Sequence, residues 1–267
     1  MKAVKNAPIG LFDSGVGGLT ILNALQKVLP AENIIYFGDT AHVPYGNKSK
    51  AAVTKYSTEI LKFLENQKVK FVIVGCNTAT ALALPQLKKI AKVGLLGVLM
   101  PAAKKAAKTT KNGKIAVIAT QATVNSGSYK NALLKLNKKL KVYQFACPLL
   151  VPLIEDKQLL NTLLPKTLEY YLAPVKKSGA DTLILGCTHY PIIKNQIAKM
   201  LGPEVKLIDS AQNTALETKE ILAQNNLLNA SKQKGKIKAY TSDDPKHFEV
   251  LAKAILKQKS IKAGLAK

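Results

Sequence analysis

The sequence predicts an α/β protein: two similar α/β domains with mostly parallel sheets, related by a pseudo-twofold, with a site in the cleft between them. Three observations lead there. Short β-branched or apolar runs alternate with longer amphipathic segments, the pattern of parallel strands covered by helices. One strand-and-loop pattern occurs twice, at residues 71–78 (FVIVGCNT) and 182–189 (TLILGCTH): four strand-forming residues, a glycine, a cysteine, then small hydrogen-bonding residues. The length of 267 residues, 47% of them hydrophobic, suffices for one large domain or two of ordinary size.

Taken in order, the first strand is read at residues 9–12, where an apolar run meets Asp13 and the glycine-rich turn 13–18 (DSGVGG) opens a helix at 19–28. A second strand at 34–38 runs into the polar loop 38–46, whose turn is marked by Pro44 and Gly46. The amphipathic stretch 49–67 opens at Ser49, carries lysines on its outer face, and leads to the strand 71–74 that precedes Cys76. Further strands are expected at 95–98, 115–118, 142–145, 182–185, 205–208 and 237–240, with a helix at 130–139. Composition changes near 98–102, where Pro101 ends an apolar run, and near 210–213. The expected division is therefore 1–98 plus 213–267 for the first domain and 99–212 for the second. The last helical stretches, 214–224 and 247–257, are too short for a third domain and should pack back onto the first.

The formal net charge is +24, and every one of the 40 basic residues is lysine. Arginine is the usual bidentate reader of guanine edges, phosphates and carboxylates, so its absence argues against sequence-specific nucleic-acid recognition. Lysine still gives non-specific, salt-sensitive attraction to polyanions, and the plain reading of the charge is a solvated surface. The longest uncharged stretch, 71–87, contains Cys76, Asn77, Thr78 and Thr80 and fails the requirement of roughly 20 apolar residues for a membrane span. The apolar run after Lys2 and Lys5 ends at Asp13, too short for an export signal. Three widely spaced cysteines then point to a reduced, cytoplasmic protein with free thiols. With no Cys-x-x-Cys pair and three histidines, a structural zinc site has little to build on.

Cys76 and Cys187 carry the chemistry that the pattern suggests. A thiol at a strand end that leads into a helix meets the helix dipole and free amides, which lower its pKa. Open α/β sheets place ligands at that end of their strands. Cys147 lacks such a context and is read as core. The turn after Asp13 offers backbone amides to an anion, but its spacing is not that of a dinucleotide or nucleotide loop.

Asp13-Ser14 with the following glycines, Asp39 through Pro44-Tyr45-Gly46, Gly75-Cys76-Asn77-Thr78, and Gly186-Cys187-Thr188-His189-Tyr190-Pro191 resemble the signature segments of glutamate racemases, in the same order and at similar separations. The similarity runs over about residues 9–209. It implies a cytoplasmic enzyme that interconverts L- and D-glutamate for peptidoglycan, with no pyridoxal phosphate and no metal. Carried over position by position, it makes Cys76 and Cys187 the acid/base thiols, the second taking the proton from L-glutamate. Asp13, Glu155 and His189 become their catalytic auxiliaries. Asp13, Ser14, Tyr45, Gly46, Asn77, Thr78, Thr188 and His189 become the substrate-binding set. With no arginine, the substrate carboxylates must meet backbone amides, hydroxyls and Asn77, with lysine as a further candidate partner. Three other readings stay open at this stage: a racemase of aspartate or another acidic amino acid, a non-catalytic basic module for nucleic acid, and a thiol oxidoreductase, which the lack of Cys-x-x-Cys weakens. A homodimer is compatible with the sequence, and no residue supports or excludes contact with DNA gyrase.

Overall fold

The computed structural model describes residues 4–256 and 261–266. Ten strands form two sheets, both parallel throughout. They are β1 (Ile9–Asp13), β2 (Ile34–Gly38), β3 (Phe71–Val74), β4 (Gly94–Gly97), β5 (Lys114–Ala119), β6 (Lys141–Ala146), β7 (Thr182–Gly186), β8 (Lys206–Asp209), β9 (Ile237–Thr241) and β10 (Ala263–Leu265). The first sheet has the order β10-β9-β2-β1-β3-β4 and the second β6-β5-β7-β8. Four consecutive strands therefore repeat one order: β2-β1-β3-β4 corresponds to β6-β5-β7-β8. The expected fold class holds.

Each sheet is covered on both faces because its strand residues alternate between two cores. Ile9, Leu11 and Ile73 face one cluster, closed by the helices Leu19–Val28 and Ser210–Gln224; Phe12, Val72 and Val74 face another, closed by Lys50–Asn66. In the second sheet Ala116, Ile118, Leu183 and Leu185 pack under the long helix Lys157–Ser178. Ile115, Val117 and Ile184 pack under Leu99–Thr109 and Ser128–Leu136.

Differences from expectation are local. The fourth strand lies one residue earlier than read, because Val98 already belongs to the helical entry to Leu99–Thr109. The helix expected at 130–139 is Ser128–Leu136; Gly127, at a φ of 64°, sets its start, and Asn137 ends it. Ser49 caps Lys50–Asn66 by accepting the Ala52 N–H. The helix expected at 247–257 is Pro245–Leu256, and Lys257 lies outside the described residues. Strand β10 was not anticipated: Ala263, Gly264 and Leu265 carry no β-branched signal. Strand β9 inserts beside β2, pairing Ile34 with Ile237, so the end of the chain completes the first sheet. Among the described residues no helix is long and apolar enough to cross a membrane.

Candidate active site

The repeated strand order creates two equivalent crevices. In each half the chain leaves the first strand in one direction across the sheet and the third strand in the other, so the loops after these neighbours part and leave an opening. The first half supplies the loops after β1 (Asp13, Ser14) and β3 (Cys76, Asn77, Thr78). The second supplies those after β5 (Thr120, Thr123) and β7 (Cys187, Thr188, His189). The two sets meet face to face. Thr188 Oγ1 donates to Asp13 Oδ2 at 3.1 Å, and Thr20 Oγ1 approaches the Thr188 carbonyl at 3.3 Å. Thr78, Thr120 and Thr123 form a closed hydroxyl triangle with sides of 2.9, 2.9 and 3.2 Å. Tyr129 donates its hydroxyl to Asn77 Oδ1 at 2.7 Å.

Glycines make this approach possible. A Cβ on Gly17 would stand 2.6 Å from His189 Nδ1, and one on Gly46 would stand 2.8 Å from Thr120 Cβ. The glycine-rich turn expected to offer amides to an anion thus has a second use, letting the halves touch. Its Gly15 N–H is also committed, donating to Asp13 Oδ1 at 3.0 Å. The Gly15 carbonyl is held by the buried Tyr36 hydroxyl at 2.7 Å.

The two thiols sit in different surroundings despite the repeat. Cys76 is the N-cap of the helix Asn77–Leu82; the Ala79 N–H donates to its sulfur at 3.5 Å, and Ser14 Oγ lies 3.8 Å away. Cys187 caps no α-helix. It is followed by Thr188, His189 and a short 3-10 turn, Tyr190–Ile193, before the helix Lys194–Leu201 begins. The expected helix-start context therefore holds at one thiol only, because the 3-10 turn has His189 as its N-cap, two residues beyond Cys187.

The expected lowering of the thiol pKa is corrected at Cys76. Burial and the negative charge of Asp13 push it up to about 12, and the Ala79 amide and Ser14 only partly oppose them. At neutral pH this residue is a thiol. The nearby Asp13 is also raised, chiefly by burial, against the pull of His189, the Gly15 and Gly18 amides and Thr188.

Beside Cys187, His189 Nδ1 lies 3.8 Å from the sulfur while Nε2 meets Glu155 Oε1 at 2.9 Å. Burial disfavours the imidazolium. Hydrogen bonds and charge from Cys187 and Glu155 outweigh it and raise the His189 pKa well above its ordinary value of 6.5. The charged imidazole is thus a ready partner for a thiolate. Glu155 reaches the thiol through His189, not directly.

Tyr45 is buried, and its hydroxyl donates to Asp39 Oδ2 at 2.5 Å, so its phenol is not the group left for a ligand. What Tyr45 and Gly46 still offer is backbone N–H at the start of a 3-10 turn, where the turn provides no acceptor. Asp39 also accepts from Ser242 Oγ at 2.7 Å and meets His42 Nδ1 at 2.8 Å. Asp39, Thr120, Thr123 and Tyr129 were missed as site residues. The internal repeat held the signal for the threonines: they follow β5 as Asp13 and Ser14 follow β1.

Cys76 and Cys187 are buried, at 5% and 6% exposure, so the cleft over them is shut. A cavity of about 650 Å³ is lined by Glu155 and His189 together with Leu19, Gln212 and Leu251. Neither Cys76 nor Cys187 lines it, and the converging side chains, not this space, define the candidate site. Within that site the neutral donors are Ser, Thr, Tyr and Asn side chains and backbone amides.

Comparison with known proteins adds the following. Residues 19–218 match the family described as Asp/Glu/hydantoin racemase. A glutamate racemase of Geobacter metallireducens is 45% identical over 240 residues, 90% of this chain and 89% of that one. The crystal structure of a glutamate racemase isoform from Bacillus anthracis superimposes with a TM-score of 0.95 at 37% identity, covering 98% of each chain. The Francisella tularensis glutamate racemase, crystallised with D-glutamate, superimposes with a TM-score of 0.92 at 37% identity, covering 99% of this chain and 98% of that one.

Proposed function

The chain belongs to the Asp/Glu/hydantoin racemase family and is an isomerase that racemises glutamate, and from that premise we propose that Cys76 and Cys187 do so as opposed acid and base. The observation that carries this reading is the unequal pair of thiols at the junction of the two halves. Cys76 keeps its proton, and Cys187 has a cationic imidazole 3.8 Å away.

With L-glutamate bound, the Cys187 thiolate takes the α-proton and the electron pair remains on the α-carbon, delocalised into the adjacent carboxylate. The Cys76 S–H bond then breaks and its proton is delivered to the opposite face. D-glutamate leaves, Cys187 is left as a thiol and Cys76 as a thiolate, and exchange with water restores the starting pair. The thiolate formed at Cys76 is the costly species, which is why neutral donors from Ser14 and the Ala79 amide at that sulfur matter.

Asp13 is suited to the ammonium group, and Asn77, Thr78, Thr188 and the Tyr45–Gly46 amides to the carboxylates. Each such bond to a charged group contributes about 1.5 to 3 kcal/mol. Thr120 and Thr123 extend the donor set from the second half. Glu155 holds His189 in its charged form. In this reading no cofactor or metal takes part, the product feeds peptidoglycan synthesis, and the enzyme works in the cytoplasm. The division into 1–98 plus 213–267 and 99–212 accompanies it, because the halves each contribute one thiol. A homodimer is the assembly proposed, to be checked by light scattering.

The test is racemisation of L-glutamate in heavy water, started after dialysis against a chelator. Early D-glutamate should carry deuterium at the α-carbon while the remaining L-glutamate stays largely unlabelled. Cys76→Ser and Cys187→Ser should each lower the rate by orders of magnitude, since a hydroxyl is a far weaker acid and base near neutrality. Near-normal rates in both variants, or early product carrying mainly the original proton, would overturn the two-thiol reading. Parallel assays with both enantiomers of aspartate decide substrate selectivity.

A further inference from the structure

Tyr129 lies at the start of the helix Ser128–Leu136 in the second half, and Asn77 opens Asn77–Leu82 in the first. The tyrosine is fully buried, and its ring is fixed: a Cβ on Gly186, the residue before Cys187, would stand 3.1 Å from Tyr129 Cε2. Among the described residues its hydroxyl makes one hydrogen bond, the donation to Asn77 Oδ1 at 2.7 Å. Burial and the nearby Cys187 raise the phenol pKa, so it stays protonated and remains a donor.

A carboxamide has one accepting and one donating end, and which way it faces follows from its neighbours. With Oδ1 taken by a phenol, the NH₂ must be the end left over. That group is buried and has no acceptor among the described residues. Buried donors are nearly always satisfied, because one left unpaired has lost its water without gaining a partner. The orphaned Asn77 Nδ2 lies one residue from Cys76 and in the same turn as Thr78, so an anionic oxygen in the cleft is the acceptor that its chemistry asks for.

We propose that Tyr129 is a positioning residue for the racemisation: by holding Asn77 Oδ1 it turns the Asn77 NH₂ towards a substrate carboxylate. The proposal rests on Asn77 as a substrate contact. It adds a condition on that contact, because the orienting group comes from the opposite half. Asn77 is set for glutamate only when the two halves are joined. Ser128 Oγ donates to the Ala81 carbonyl at 3.2 Å, a second tie between the same two helices.

Tyr129→Phe keeps the ring and removes the hydroxyl. KM for L- and D-glutamate should both rise about tenfold, kcat should change less than threefold, and the thermal midpoint should stay near that of the parent. Asn77→Ala should raise KM at least as much, and adding Tyr129→Phe to it should have no further effect. If Asn77→Ala raises KM but Tyr129→Phe is silent, or acts equally in the Asn77→Ala background, the positioning role is overturned and the Asn77 contact survives. If Asn77→Ala leaves KM unchanged, both fall. Should Tyr129→Phe not fold, Asn77→Asp decides: with one oxygen held by Tyr129 it turns the other towards the carboxylate, and KM should exceed that of Asn77→Ala. An equal or lower KM overturns the proposal.

Discussion

Cys76 shows two opposing influences on one atom. Capping a helix favours its thiolate by roughly 0.3 to 1 kcal/mol. Burial beside Asp13 opposes it, and the net rise from 9.0 to about 12 corresponds to about 4 kcal/mol. Burial wins because the sulfur is desolvated and only one backbone amide reaches it. Alkylation by iodoacetamide, mapped to Cys76 by mass spectrometry, should therefore speed up about tenfold per pH unit from pH 7 to 9.5 without levelling. A plateau below pH 9 would mean that the thiol ionises near its usual value. The identity of both thiols was legible in the sequence, since Gly-Cys follows an apolar strand twice. Their inequality was not. It depends on burial and the charge of Asp13 at Cys76, 63 residues away in sequence, and on His189 Nδ1 lying 3.8 Å from the Cys187 sulfur. Nor could the sequence tell that the Tyr45 hydroxyl is spent on Asp39.

Between elements, Asp181 joins the loop after Leu99–Thr109 to the start of β7. Its carboxylate accepts from Thr110 Oγ1, the Lys111 N–H and the Asn112 N–H, all at 2.7 or 2.8 Å. Partial burial works against its ionisation, but these bonds and one from Thr182 outweigh it, and its pKa falls below 3.8. A carboxyl depressed in the folded state stabilises above its unfolded value, and that contribution is lost as pH falls through the lower, folded value. Asp181→Asn should cost about 1 kcal/mol at pH 7 by urea denaturation, because solvent screens the exposed side of the carboxylate. The gap from the parent should shrink below about pH 3.8; a gap that persists there would mean that charge is not its origin. Elements themselves were the most legible level. Strands β2 and β3 matched their expected bounds, because β-branched runs between polar turns are strong signals. Strand β10 failed because its pairing with β9 is set by tertiary neighbours, not by its own residues.

On the scale of the whole molecule the charge is unevenly spread. No aspartate or glutamate occurs between Glu65 and Glu155, a span that holds fifteen of the forty lysines. Lys104, Lys105 and Lys108 on Leu99–Thr109, and Lys135 on the adjacent Ser128–Leu136, are exposed there. Such a face attracts any polyanion, and without arginine it has little means of reading bases. Duplex DNA should bind at 50 mM salt without sequence preference, release by about 200 mM, and leave glutamate racemisation unchanged. Binding that survives 200 mM salt or discriminates between sequences would contradict a purely electrostatic surface. The insertion of β9 beside β2 has a different consequence, one of timing. During synthesis β2 emerges about two hundred residues before its neighbour, an interval of roughly 10 to 40 s at ~5 to 20 residues per second. Throughout that interval the growing chain presents an open strand edge, the kind of surface that invites pairing with another chain. Ser242, which steadies Asp39, arrives just after β9. A ribosome-bound chain that has already displayed both cysteines therefore still lacks part of the scaffold beneath the loop 38–46, which is complete only when the last strands have paired.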